Sequence, residues 1–181
     1  MHAPARPIPL SRPFVVASLP SGGRDVRVEA TPAECLALAR AFHLVSVKSL
    51  VAQFLVKTSG SAVAVTGHVT GVVTQTCTVS LDPFDATVEE DVDLAFMPET
   101  GLAAWMAEHR PDPAADLAFE TDPPDVIHDG KIDLGAVAAE FLALGLDPYP
   151  RKPGINFEPT PDGSDKDPSP FAALAGLRKD A

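Results

Sequence analysis

The chain has 181 residues, 45% of them hydrophobic, with 19 prolines and a formal net charge of −11. This length predicts one domain with a core of ordinary size and flanking tails. No apolar run reaches the roughly 18 residues of a membrane-spanning helix, and the first residues lack the apolar stretch of a signal peptide. With two cysteines, we therefore expect a cytoplasmic protein that has reduced thiols and no membrane partner.

The charges are divided unevenly along the chain. Residues 1–60 carry seven Lys or Arg and three Asp or Glu, whereas residues 61–181 carry seven and 22. The acidic remainder argues against a nonspecific nucleic-acid binder, because such affinity comes from cations on phosphates. The first third can still form a local basic face that contains Arg24, Arg27 and Lys48. The alternative is a solvated surface of mixed charge.

Two short strand patterns and a helix start come first. Residues 14–19 and 24–30 are predicted to pair as a hairpin around a Ser-Gly-Gly turn. Thr31 then stands as an N-cap before a proline, and Glu34 follows three positions later, which is the pattern of a capping box. This pattern predicts a helix that runs to about Phe42.

Two long strands follow, over residues 46–57 and 63–77, joined by a turn at 59–61. In the second strand, every other residue from position 63 to position 73 is Val or Gly. One face of that strand is therefore apolar and is expected to face the core. Gly67 and Gly71 lie on this face, where the missing side chain allows close packing or a bend.

A third strand pattern at 86–96 precedes an acidic, proline-rich insertion at 98–124, which contains a short helix pattern around the single Trp. A turn is predicted at Asp129–Gly130. Asp133 is placed to cap a helix over residues 134–146.

A proline segment, residues 148–153, directly follows this helix. Its three prolines restrict the backbone to extended conformations around Tyr149, the single Tyr, and around the cations Arg151 and Lys152. A rigidly displayed aromatic and two cations lose little entropy on binding, so this is the best candidate for a contact surface. The alternatives are a helix exit with no further role and a Tyr149 that packs on the protein's own sheet.

The sequence contains no catalytic motif: it has no phosphate-binding Gly loop, no nucleophile elbow and no pair of histidines at metal-binding spacing. Cys77 is expected to be a small buried residue, and His68 to lie on the surface side of its strand. The acidic run at 82–93 is more typical of a solvated strand than of a metal site. We therefore expect no enzymatic activity, metal, cofactor or small-molecule substrate.

Several of these segments together resemble one family, the YceD family of large ribosomal RNA subunit accumulation proteins, and in particular its alphaproteobacterial branch. The similar segments are Val65–Val69 with Val72–Pro83, Ile132–Gly135 with Glu140, and the run LGLDPYPRKPG at 144–154. The resemblance extends over residues 10–157. It implies a role in large-subunit ribosome biogenesis.

The sequence departs from the family's pattern at one place. Many members carry Cys-x-x-Cys near the position of Cys77, whereas here Thr74 and Ser80 stand three residues to either side. This difference argues against a structural metal or a paired thiol in the chain.

Together these features predict a single α+β domain over residues 10–157, including the insertion, followed by a flexible tail at 158–181 with a short helix pattern at 171–179. The expected architecture is a curved or barrel-like antiparallel sheet of about five or six strands packed by two helices.

The first functional hypothesis is a non-enzymatic factor in large-subunit biogenesis that supports accumulation of the large-subunit ribosomal RNA. It would contact that RNA or a ribosomal protein through Tyr149, Arg151 and Lys152 together with the basic first third. The alternative is an acidic adaptor that binds basic ribosomal proteins and makes no RNA contact.

Overall fold

The computed structural model describes residues 9–109 and 123–155. Its elements, in chain order, are β1 (Pro13–Val15), a 3-10 turn (Val16–Ser18), β2 (Arg24–Glu29), α1 (Pro32–Ala41), β3 (Ser46–Ser59), β4 (Ala62–Thr76), β5 (Pro83–Pro98), α2 (Glu99–Glu108), β6 (Asp125–Ile127), β7 (Lys131–Asp133) and α3 (Leu134–Leu144). The predicted tail at 158–181, with its helix pattern at 171–179, and residues 110–122 of the insertion lie outside the described residues.

Five strands form one sheet in the order β2-β3-β4-β5-β6, and β1 pairs with β7 in a separate two-stranded sheet. The α+β class and the strand number are confirmed. The sheet is mixed and not purely antiparallel, because β6 runs parallel to β5. The insertion makes this parallel pairing possible, because a parallel partner strand needs a long crossover connection. The strand order is linear, so the sheet is open and the barrel-like alternative is wrong.

The predicted hairpin between the first two strands is wrong. The chain does turn, with the Gly23 N–H donating to the Pro20 carbonyl at 2.9 Å, but β2 then pairs with β3. β1 pairs instead with β7, which places Phe14 opposite Ile132. Both side chains are buried, so this strand pair adds two apolar residues to the core. Alternation in sequence indicates a strand, but it does not specify the partner.

The apolar face of β4 forms the centre of the core, as predicted. Val65, Val69 and Val73 are completely buried there. The two glycines of this face serve different purposes. A Cβ at Gly71 would overlap the Leu142 side chain of α3, whereas a Cβ at Gly67 would overlap the β3 backbone at Gln53. Gly71 thus admits the helix, and Gly67 allows the two strands to curve closely together.

Two helices pack on this core and the third does not. α1 begins with the predicted capping box, in which Thr31 N–H donates to Glu34 at 2.8 Å. α3 begins at the predicted Asp133 cap and ends at Leu144, two residues earlier than expected. α1 and α3 both contain buried residues, while α2, which begins the insertion, has none. Within the described ranges, no helix is long and apolar enough to cross a membrane.

Candidate functional site

A tight turn follows β4 at residues 77–82, which we call the Cys77 turn. The Leu81 N–H donates to the Cys77 carbonyl at 3.0 Å, and the Cys77 N–H donates to the Asp82 carbonyl at 2.9 Å. Leu81 has a φ of 62°, in the left-handed region, and its side chain is 75% exposed. The turn therefore presents a large apolar side chain to solvent at the end of the sheet where β4 stops.

The proline segment is fastened to this turn by its main chain. The Thr78 N–H donates to the Pro150 carbonyl at 2.9 Å, and the Lys152 N–H donates to the Cys77 sulfur at 3.4 Å. Just before the segment, Gln75 Nε2 donates to the Asp147 carbonyl at 3.2 Å. These contacts use backbone atoms of the segment, so its side chains are left available for other partners.

The Cys77 sulfur is the centre of this arrangement. It is completely buried, as predicted, and it accepts N–H groups from Lys152 at 3.4 Å and from Ser80 at 3.5 Å. These hydrogen bonds, with burial opposing them, lower the pKa of the Cys77 thiol to about 6. Among the described residues, no three metal-binding side chains converge.

The proline segment displays two of the predicted contact residues. Tyr149 is 73% exposed, so it does not pack on the protein's own sheet. Its N–H donates to Asp147 Oδ1 at 2.8 Å, which helps to fix the backbone. Arg151 is exposed and has no ion-pair partner among residues 9–109 and 123–155. Lys152 is less available, because its Nζ lies 4.0 Å from Asp82 Oδ2.

Lys48 lies at the same end of the sheet but is also paired. It forms an ion pair with Asp85, which accepts a second hydrogen bond from Thr74 Oγ1 at 2.7 Å. The contacts from Lys48 and then from Thr74 lower the pKa of the Asp85 carboxyl. This short polar row connects β3, β4 and β5 across the solvent-facing side of the sheet.

Arg24 and Arg27 do not join this group. Arg24 pairs across the sheet with Val56, which is eight residues along β3 from Lys48, roughly 26 Å on an extended strand. Its guanidinium lies 6.0 Å from the centre of the Phe14 ring, and Arg27 pairs with Glu29 at 3.2 Å. The structure thus separates the six predicted residues into two groups, because Arg24 and Arg27 pair with the part of β3 that lies away from Lys48.

The sequence did not predict the apolar surface at this end of the sheet. A groove of about 340 Å³ lies beside the proline segment, and its lining includes Phe42, Val45, Pro148 and Pro150. Val45 is 58% exposed. Neither Val45 nor Leu81 belongs to a periodic pattern, so the only signal in the sequence was a large apolar residue in a turn.

The open sheet and the fastened Cys77 turn together define an α+β domain whose most distinctive surface is a candidate contact site. Residues 65–178 match the model of the large ribosomal RNA subunit accumulation protein YceD, and the chain belongs to this family. The match includes the Cys77 turn, α3 and the proline segment. It confirms the resemblance and connects the chain with large-subunit ribosome biogenesis. No curated protein and no solved structure is significantly similar to the chain.

Proposed function

We propose that this protein is a non-enzymatic factor, acting in the cytoplasm, that supports accumulation of large-subunit ribosomal RNA by binding large-subunit precursors through the proline segment. One observation carries this proposal. Tyr149 and Arg151 are exposed on a backbone that is hydrogen-bonded to the Cys77 turn, and both lie in the part of the chain that matches the family.

The chemistry of the two side chains suits a ribosomal RNA. Tyrosine rings stack on unpaired bases, and arginine binds phosphates in a two-pronged geometry while remaining charged at any physiological pH. Because the backbone is already held in place, little ordering entropy is lost on binding. Lys48 and Lys152 are second choices as contacts, since each would first have to leave its carboxylate.

The double variant Tyr149→Ala/Arg151→Glu tests the contact. We expect its co-sedimentation with large-subunit precursors to fall at least tenfold, while its free energy of unfolding changes by less than about 0.5 kcal/mol, as is usual for exposed positions. The matched control, Leu36→Ala/Lys131→Glu, also removes one exposed apolar side chain and reverses one exposed cation. Unchanged co-sedimentation of the first variant would exclude this surface.

The second candidate function is the acidic adaptor. The observation that favours it is β5, where Asp85, Glu89, Asp91 and Asp93 are all exposed. Binding of the purified protein to isolated large-subunit ribosomal RNA across a salt series separates the two candidates. A steep loss of affinity with salt indicates phosphate contacts, whereas no binding even at low salt favours the adaptor.

A further inference from the structure

The outer edge of β5 is unpaired over most of its length. β5 pairs with β4 from Pro83 to Phe96, but β6 covers it only at Phe96–Pro98. Residues 83–94 therefore have a strand neighbour on one side only, among the residues that the structure describes. No described residue beyond β4 makes a backbone hydrogen bond to them. At roughly 3.4 Å per residue, this edge is about 40 Å long.

Proteins ordinarily protect such an edge, because unpaired N–H and C=O groups recruit other chains. The opposite edge, β2, is protected in two ways. It has only six residues, and Arg12 Nη2 donates to the Glu29 carbonyl at its end. β5 has neither protection, and its register with β4 continues without the shift that interrupts β3 and β4. The edge is thus regular enough to accept an added strand.

The side chains of β5 determine what kind of strand would fit. Neither β4 nor β5 contains a Lys or Arg. Asp85 is paired with Lys48, and Asp91 lies 3.0 Å from the His68 ring. Glu89, Glu90 and Asp93 have no ion-pair partner within the described ranges. A second copy of this strand would place carboxylates opposite carboxylates and would be repelled.

We propose that the outer edge of β5 accepts an extended, basic peptide segment of a partner protein as an additional strand. Backbone hydrogen bonds would supply affinity, and Lys or Arg side chains would face Glu89, Asp91 and Asp93 on the solvent-facing side of the sheet. On the other side, Gly145 packs against Val88 and Glu90. Its neighbour Leu144 is 68% exposed there. The peptide would therefore alternate basic residues with apolar ones.

The basic peptide would be the partner of the acidic-adaptor candidate, so this proposal rests on that candidate function and does not depend on the Tyr149–Arg151 contact. The probe is a synthetic peptide of five Lys-Val repeats, measured by fluorescence anisotropy against the full chain at physiological salt. We expect saturable binding that falls at least tenfold in Glu89→Lys/Asp93→Lys. The matched control Asp25→Lys/Glu29→Lys makes the same charge change at exposed positions of β2, on the opposite edge of the sheet, and should bind within about twofold of the unchanged protein. Tyr149→Ala/Arg151→Glu should also bind normally, so the two proposals can fail separately.

Two further measurements distinguish strand addition from simple charge attraction. The same peptide methylated at every backbone nitrogen keeps its charge but cannot pair, and we expect it not to bind. In amide hydrogen exchange, alternate N–H groups of residues 84–94 should exchange rapidly in the free protein and at least tenfold more slowly with the peptide bound. The proposal would be refuted if the methylated peptide bound as tightly as the unmethylated one. It would also be refuted if the N–H groups of residues 84–94 exchanged slowly without peptide, or if the unmethylated peptide did not bind at all.

Discussion

The two ends of α3 are both fastened to distant parts of the chain, but by different kinds of atom. At its start, the Asp133 carboxylate accepts hydrogen bonds from Ser11 Oγ at 2.5 Å, from the Arg12 N–H at 2.6 Å and from the Gly135 N–H at 3.0 Å. Beyond its end, backbone groups of the proline segment meet the Cys77 turn.

The difference shows that side chains stabilise the fold at one end of α3, whereas at the other end they remain available to bind a partner. Around Asp133, charged side chains are occupied by one another. Arg12 is held by Glu34 at 2.7 Å, and Glu34 closes the capping box of α1. At the other end, the proline segment is attached mainly through its own main-chain atoms and not through its tyrosine or arginine side chain, so Tyr149 and Arg151 remain exposed. A contact surface is therefore expected at the second end and not at the first.

The largest expected effect is at the start of α3. Asp133→Ala removes the helix cap and leaves the Arg12 N–H and the first N–H groups of α3 without their acceptor, so the free energy of unfolding should fall by about 2–3 kcal/mol. Asp147→Ala removes an exposed carboxylate whose one described bond is to the Tyr149 N–H, and should cost less than about 0.5 kcal/mol. Urea unfolding of both variants measures the difference. Equal losses would contradict the distinction between the two ends.

A smaller effect is expected at the Cys77 turn. Cys77→Ala leaves the N–H groups of Lys152 and Ser80 without an acceptor, and should reduce the free energy of unfolding by about 1–2 kcal/mol. Cys35→Ala is the matched control, since Cys35 is also buried but makes one long contact, to the Ala30 carbonyl at 3.9 Å. The loss should be smaller by about 1 kcal/mol in the control. Faster amide exchange at Lys152 in Cys77→Ala alone would show that the sulfur holds the proline segment.

The smallest effect concerns pH at the start of the chain. The hydrogen bond from Arg12, followed by that from the Thr31 N–H, lowers the pKa of Glu34 to about 2 from an ordinary value of 4.5. A lowered pKa in the folded state means that the stabilisation is complete above about pH 4.5 and disappears as the pH falls towards 2. Because the pair is near the surface, the total should be about 1 kcal/mol.

The measurement compares the unchanged protein with Glu34→Gln, which cannot titrate. Their stability difference should shrink steadily from pH 5 to pH 2. A difference that stays constant over this range would show that Glu34 titrates normally. The pKa of Asp133 is lowered as well: burial acts to raise it, but the hydrogen bonds together outweigh that effect. Glu34→Gln isolates one of these two carboxylates.

The local features of this fold could be predicted from sequence, because they depend on neighbouring residues. The capping box at Thr31, the Asp133 cap and the two glycines of β4 each carry a signal within a few positions. Long-range pairing carried no such signal. β1 pairs with β7 and not with β2, and β6 adds to the sheet in parallel. Both pairings depend on which apolar faces meet in three dimensions.

The candidate site was predictable to the same limited degree. The three prolines predicted a rigid segment that exposes the Tyr149 side chain, and the exposure of Tyr149 in the structure agrees with that expectation. The basic face was not predictable from a count of cations, because Arg27 is paired with the nearby Glu29, and Lys48 is paired with Asp85, a partner that the sequence alone could not assign. An ion pair between residues 37 or more positions apart leaves no periodic trace.

The pairing of β1 with β7 also sets an order of events during synthesis. The bond from the Arg12 N–H to Asp133 joins residues 121 positions apart. At about 5–20 residues per second, the first strand must wait roughly 6–24 s for its partner to be made. The antiparallel strands β2 to β5, by contrast, adjoin their partners in the chain. The nascent chain can thus form most of its sheet early, while the burial of Phe14 against Ile132 comes only after β7 has been made.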